Sequence, residues 1–247
     1  MLENCSFIDN TSWGKTYELN ASTCIHLIDN KSITQSENEV LLHYRKELQQ
    51  KYTLAIHLWE DVLIQKKELV NQRLSAINAQ VEKIHARKCT IISISQIELN
   101  DFLNLHHIQG AVKSRVKYGL IYENELIGVA SFSARRAMTY DGKKEYYSAE
   151  LIRFCSKTGT RIYGGLDKLL KHYERNFEVN DIMTYADKDW SNGASYLTLG
   201  FNISNETNPL AFSLNENLER KLIANPTEND LYIWNSGNIK LHRNVEK

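Results

Sequence analysis

Residues 150–201 read ELIRFCSKTGTRIYGGLDKLLKHYERNFEVNDIMTYADKDWSNGASYLTLGF, and no other stretch limits the possible folds as much. An apolar strand-like run leads into a glycine pair. Leu166, Leu169, Leu170 and Tyr173 then recur at helical spacing, on one face of a helix that Gly164-Gly165 opens. A second apolar run, DIMTYAD, ends on Asp187 and is followed by a short helical segment closing on Gly200. Phe201 returns as a strand. Strand, glycine loop, helix and strand together predict a mixed α/β (α+β) sheet flanked by helices.

The segments before this unit fit the same class. YGLIYENELIGVASFSA (118–134) reads as two strands joined at Glu-Asn-Glu, CTIISIS (89–95) as a strand and QIELNDFLNLHHI (96–108) as a helix. Further upstream, YTLAIHLW (52–59) predicts a strand. EDVLIQKKELVNQRLSAINAQ (60–80) predicts one helix with Val62, Leu63, Leu69, Val70, Leu74 and Ile77 on a stripe. Ser36 and Glu39 stand at capping-box spacing before a further helix, and residues 1–35 suggest short strands or loops. The tail, residues 230–243, predicts a hairpin around Ser236-Gly237. A seam near Arg87 divides an N-terminal extension, 1–88, from a larger domain, 89–247.

Composition narrows the function classes. In 247 residues, Lys and Arg (30) balance Asp and Glu (30), so attraction to a polyanion must come from a local patch. Such a patch exists between 111 and 147, where Lys113, Arg115, Lys117, Arg135, Arg136, Lys143 and Lys144 face four acids. A solvated surface is the plainer reading. Four scattered cysteines without a C-x-x-C pair signal neither zinc nor redox chemistry, and reduced thiols in a cytoplasmic protein fit them. The first ten residues lack the pattern of a secretory signal, and no run reaches the length of a membrane helix.

Glycines at a helix start let phosphate oxygens approach unpaired backbone N–H groups, and Arg161, Tyr163, Gly164 and Gly165 frame that position. The spacing matches neither the P-loop nor the dinucleotide fingerprint, and a packing role for the glycine pair is the alternative. Asp187 ends a strand where open α/β sheets place their ligands, although Asp also favours an Asx turn there. His107 is a general-base candidate, with Gln109 able to read a base edge. Adjacent His106 and His107 on one helix cannot converge on one metal, and no metal is expected. Trp190 either stacks on a base or packs at a core edge, and Cys155 between apolar neighbours reads as an inert thiol.

The order hairpin, strand, glycine-led helix, strand, short helix, strand resembles the acetyl-coenzyme A-dependent N-acyltransferases of the GNAT family. In their Q/R-x-x-G-x-G/A loop, Arg161 and Gly164 match, whereas Leu166 stands where a small residue is usual. Tyr196, Gly200 and Phe201 resemble the family's later landmarks. FLNLHHIQGAV, ELIRFC, GGLDKLLKHY and YADKDWSNGASYLTLGF, within 102–205, are also similar to the Mom type of DNA-modifying acyltransferase-like enzymes. The same domain occurs at the C-terminus of Vsr-like phage homing endonucleases, whose joining segment resembles residues 56–89.

The resemblance implies a GNAT-like sheet with acetyl-CoA or another acyl-CoA held at Arg161, Tyr163, Gly164 and Gly165. It implies functional roles for Arg153 and Asp187; Tyr163 and Tyr196, read as residues, are candidate proton donors to a leaving thiolate. An ion pair with Glu150 or Asp187 is the structural alternative for Arg153. The acceptor implied is an amine of a DNA or tRNA base; Gln109, Lys113, Arg115, Lys117, Arg135, Arg136 and Trp190 are the contacts that the residue types themselves suggest for it. A non-catalytic nucleic-acid-binding module, derived from the endonuclease architecture, is the alternative function.

Overall fold

The computed structural model describes residues 2, 5–30, 38–140, 143–224 and 232–245. The chain forms two compact units, each assembled from separated segments. The first comprises Met1–Asn71, Ala186–Ala194 and Asn205–Lys240; the second comprises Gln72–Tyr185, Ser195–Ser204 and Leu241–Lys247.

In the first unit, β1 (Ser6–Thr11), β2 (Gly14–Asn20) and β3 (Thr23–Ile28) form an antiparallel meander. β4 (Leu54–Trp59) then joins β3 in parallel, and α1 (Asn38–Lys51) supplies the crossover that a parallel neighbour requires. β3 and β4 are buried nearly throughout while β1 is an exposed edge, which explains why only the later strands read as continuous apolar runs. Leu41, Trp59, Ile28 and Ile233 form one core cluster.

The helix expected over 60–80 is two helices, α2 (Glu60–Gln65) and α3 (Lys67–Ile77), broken at Lys66, whose φ of −129° leaves the helical region. The Ser36 capping residue lies outside the described residues.

In the second unit, β5 (Glu82–His85) was hidden in a charged stretch and leads through a 3-10 turn (Ala86–Lys88) to β6 (Thr90–Ser93). α4 (Gln96–His106) opens with a capping box. The Glu98 N–H donates to the Ser95 hydroxyl, and the Ser95 N–H donates to the Glu98 carboxylate at 2.7 Å. β7 (Val116–Tyr122) and β8 (Glu125–Phe132) form the expected hairpin, with Glu123 and Asn124 both at positive φ, as a primed two-residue turn requires.

β9 (Arg136–Tyr140), β10 (Lys143–Ser156), β11 (Thr160–Tyr163), α5 (Gly165–Asn176), β12 (Asp181–Asp187) and α6 (Ala194–Leu197) follow. α5 buries Leu166, Leu169, Leu170 and Tyr173, the stripe read from the sequence, and Tyr173 stacks on Phe132 at 4.1 Å. β13 (Asn202–Glu206), β14 (Ala211–Leu214), β15 (Arg220–Ile223), β16 (Ile233–Trp234) and β17 (Asn238–Asn244) complete the described chain.

The large sheet has the order β13-β17-β12-β10-β8-β7-β6, with β9 on β10; β11 pairs with β5 in parallel. The architecture is the mixed α/β sheet with flanking helices and an N-terminal strand-and-helix extension that the sequence predicts. The terminal hairpin is not formed. β16 pairs with β14, whereas β17 joins the large sheet. The connection at Asn235–Gly237 is held elsewhere: Asn235 Oδ1 accepts the Leu210 N–H, and the Ser236 N–H donates to Asp189.

Candidate active site

The site in the second unit begins where two parallel strands part. β10 and β12 pair from Ser148↔Asp181 to Leu151↔Thr184, and there the ladder stops although both strands continue. Against β8, the register of β10 slips between Leu151 and Arg153, so Ile152 is the extra residue of a bulge. A bulge increases local twist and turns a strand away from its partner. The outcome is an opening between β10 and β12 toward their C-terminal ends, the place where α/β sheets present ligand sites.

Thr184 closes the apex of this opening. Its buried hydroxyl donates to the Leu151 carbonyl at 2.9 Å, replacing the backbone bond the parting strands lose. The Tyr196 hydroxyl is hydrogen-bonded to Thr184 in turn. Burial raises the Tyr196 pKa above its ordinary value, opposed by that hydrogen bond and by the positive charges of Arg73 and Arg153. The phenol therefore keeps its proton through neutral pH.

Local backbone chemistry fixes Tyr196. The Phe201 N–H reaches the Tyr196 carbonyl at 3.2 Å and the Gly200 N–H reaches Leu197 at 3.1 Å, with Gly200 left-handed at φ +80°. This is a Schellman closure, completed by edge-to-face contact of Phe201 with Tyr196 at 5.5 Å. The Leu-Gly-Phe sequence thus anchors the tyrosine that precedes it.

The helix that follows β11 in the same unit, α5, starts from a glycine pair. Gly164, its N-cap, is left-handed at φ +73° and uses no side chain to cap the helix. The first amides of the helix have no carbonyl within it to bond. A Cβ at Gly165 would meet Ile162 at 2.9 Å, so this position admits only glycine without a shift in β11. Leu166 is buried on the core face of α5.

The remaining expected residues fall into three groups. The Arg161 guanidinium donates to the Ala76 carbonyl near the end of α3. Tyr163 is 42 % exposed and stacks on His85 with ring centroids 5.6 Å apart. Arg153 donates to the Ile152 carbonyl at 2.9 Å beside the bulge. His107 ends α4, its Nδ1 accepting the Gln109 N–H at 3.1 Å in a local turn, with Gln109 exposed.

The basic residues do gather. Lys113, Arg115 and Lys117 precede or begin β7, while Arg135 and Arg136 follow the end of β8; Val116 pairs with Phe132 there. Lys113, Arg115 and Arg136 are exposed. Lys117 turns back to the Ser114 carbonyl at 3.1 Å, and Arg135 holds the Glu178 carbonyl while lying 4.5 Å from the Tyr147 ring centroid. Asp141 and the side chains of Lys143 and Lys144 lie outside the described residues.

Asp187 and Trp190 belong to the first unit. Asp187 Oδ1 accepts the Asp189 N–H at 3.0 Å, forming the Asx turn that was one of its two readings. Trp190 is buried, 8 % exposed, as a packed ring. Asp189, which the sequence did not single out, is the more perturbed acid. It is 4 % exposed and accepts the Ser236 N–H at 2.9 Å. Burial, followed by the neighbouring Asp187 charge, pushes its pKa up to about 7. Ser236 Oγ lies 3.2 Å from His57 Nδ1, and the His57 ring sits 5.4 Å from that of His26. Burial lowers His26 to about 4 and His57 well below the ordinary histidine range.

Thr184 and Arg73, which the structure places around Tyr196, were not singled out from the sequence. A threonine inside the apolar DIMTYAD run was the only available signal for the first. Among the described residues, no helix is long and apolar enough to cross a membrane.

No protein-family model matches the chain, and no curated protein matches it. Among solved structures, it is similar to an acetyltransferase of Bacillus subtilis in complex with CoA, at 16 % identity and TM-score 0.42, over 64 % of this chain and 100 % of that one. It is also similar to a GNAT family acetyltransferase from Elizabethkingia anophelis with acetyl-CoA bound, at 16 % identity and TM-score 0.39, over 64 % and 99 %. The ribosomal-protein-S18-alanine N-acetyltransferase of Escherichia coli is similar at 14 % identity and TM-score 0.39, over 64 % and 95 %.

Proposed function

We propose that the chain is an acyl-CoA-dependent N-acyltransferase whose acceptor is an amine on a nucleic-acid base. The observation that carries the reading is the parting of β10 and β12 beyond Leu151 and Thr184, with a protonated tyrosine beside Thr184, in the unit that also holds the glycine-led start of α5. A thioester donor contributes an activated carbonyl and a thiolate leaving group. The chain's own groups supply the rest. The free amides at the start of α5 suit a diphosphate, because a helix N-terminus combines orphan donors with a favourable dipole. Tyr196 holds a proton beside Thr184 and can give it to a departing thiolate, while Arg73 and Arg153 favour the resulting phenolate.

Asp187 would accept a proton from, or orient, the acceptor amine, in keeping with the Mom-type resemblance. Asp187→Asn isolates this role, since the amide oxygen can keep the Asx turn while the charge is lost. Turnover should fall by at least tenfold while the chain stays folded; full turnover removes Asp187 from the mechanism. The exposed cations Lys113, Arg115 and Arg136 at one end of the β7–β8 hairpin support a polyanionic acceptor.

Calorimetric titration with acetyl-CoA tests the donor, and nucleoside mass spectrometry of cells with and without the gene tests the acceptor. Saturable binding of acetyl-CoA and a modified base that disappears with the gene are expected. Salt-sensitive nucleic-acid binding with no heat from acetyl-CoA would instead favour the non-catalytic module, for which the same cluster of cations is the support.

A further inference from the structure

Two cations flanking the start of α5 are tied to backbone carbonyls. Arg161 donates to the Ala76 carbonyl, and Lys168 Nζ donates to the carbonyls of Ala86 and Cys89 at 2.9 and 2.5 Å. Those two lysine contacts have a consequence. They fasten the 3-10 turn Ala86–Lys88 to the first turn of α5, and Ala86 Cβ lies 3.9 Å from where a Cβ of Gly164 would stand. The turn carries Arg87 and Lys88, both exposed and, among the described residues, in no side-chain hydrogen bond or ion pair.

The strand before that turn has a matching face. β5 and β11 pair in parallel with His85 opposite Tyr163 and Lys83 opposite Arg161. Alternation along a strand puts buried Ile84 and Ile162 on one side and these four residues on the other. The His85–Tyr163 ring stack, at 30° between planes, therefore joins the residue immediately before Gly164 to the residue immediately before the turn that carries the two cations.

We propose that this face seats the phosphorylated nucleoside end of the acyl donor, with the purine on the Tyr163–His85 stack and the 3′-phosphate on Arg87 and Lys88. The inference rests on the acyl-CoA reading and adds to it a dedicated grip for one phosphate. An aromatic face takes a base through stacking, and adjacent cations on a fixed turn take a phosphate that carries two negative charges. Lys168 sets where that turn stands relative to α5.

The test compares CoA with dephospho-CoA, which lacks only the 3′-phosphate, by calorimetry at 50 and 200 mM salt. The native chain should bind CoA at least tenfold more tightly, with the larger salt dependence. Arg87→Ala/Lys88→Ala should reduce CoA to the affinity of dephospho-CoA and leave dephospho-CoA unchanged. Tyr163→Ala should weaken both ligands alike. Equal affinities in the native chain, or a preference for CoA that survives the double substitution, overturn the inference while leaving the acyl-CoA reading intact. Absence of binding by either ligand overturns both. Both cations are exposed, so a thermal melt matching the native one verifies that the double variant is folded.

Discussion

Gly164 and Gly165 are neighbours that the sequence cannot tell apart, yet they are glycines for different reasons. Gly164 needs a left-handed backbone, and a Cβ there would make only an ordinary contact with Ala86 at 3.9 Å, whereas Gly165 faces Ile162 at 2.9 Å. Gly164→Ala should therefore cost about 1 kcal/mol, the usual price of left-handed backbone in an L-residue. Gly165→Ala should cost about 1–3 kcal/mol through overpacking against β11. Denaturant melts of the two variants check the order, and equal losses would contradict it. Tyr196 is the other residue on which chemistry turns. Tyr196→Phe keeps the ring contact with Phe201 but removes the proton, so turnover should fall by roughly 10²-fold, the range of general acid catalysis. CoA affinity should stay near native, and unimpaired turnover would exclude the phenol as proton donor.

At the scale of elements, the strand, glycine, helix, strand order was legible because its apolar spacings are long and regular, as the buried face of α5 demonstrates. The Leu-Gly-Phe ending was legible as a helix stop, and the Schellman bonds give it a physical reason. What was hidden depended on pairing between distant segments. β5 is a short strand in a charged stretch and is defined only by its parallel partner β11; the opening between β10 and β12 is defined by where a ladder stops. The hydrogen bond of Arg161 was hidden for the same reason, since its carbonyl partner lies 85 positions away. Lys168 belongs to this scale too, as the tie between α5 and the turn at Ala86–Lys88. Lys168→Met keeps the aliphatic stem but removes both hydrogen bonds. It should speed amide exchange across 86–89 while leaving the core of α5 protected; unchanged exchange at the turn would refute the tie.

At the scale of the whole chain, pH exposes the cost of the buried polar groups in the first unit. The folded pKa of Asp189, about 7, exceeds the ordinary carboxylate value of 3.8. The folded state therefore keeps a proton that the unfolded chain releases, and Asp189 removes stability as pH rises from about 4 to about 7. His26 and His57 act oppositely. Their folded pKa values are depressed, so they remove stability as pH falls below the ordinary histidine value of 6.5. Asp189→Asn mimics the protonated acid and keeps an oxygen for the Ser236 N–H. It should be more stable than the native chain at pH 8, by on the order of 2–4 kcal/mol, with the gain shrinking toward pH 4. Urea melts at pH 4.5 and 8 measure it; a gain independent of pH would contradict the assignment.

The account as a whole turns on the first turn of α5 and the apex at Thr184 facing one bound donor. Residue-resolved amide exchange of the full chain, with and without saturating CoA, addresses both at once. Slowed exchange at Gly165, Leu166 and Asp167, together with Thr184 and Tyr185, is the result the account predicts. Bound CoA that leaves these amides unchanged and protects another part of the chain would contradict it.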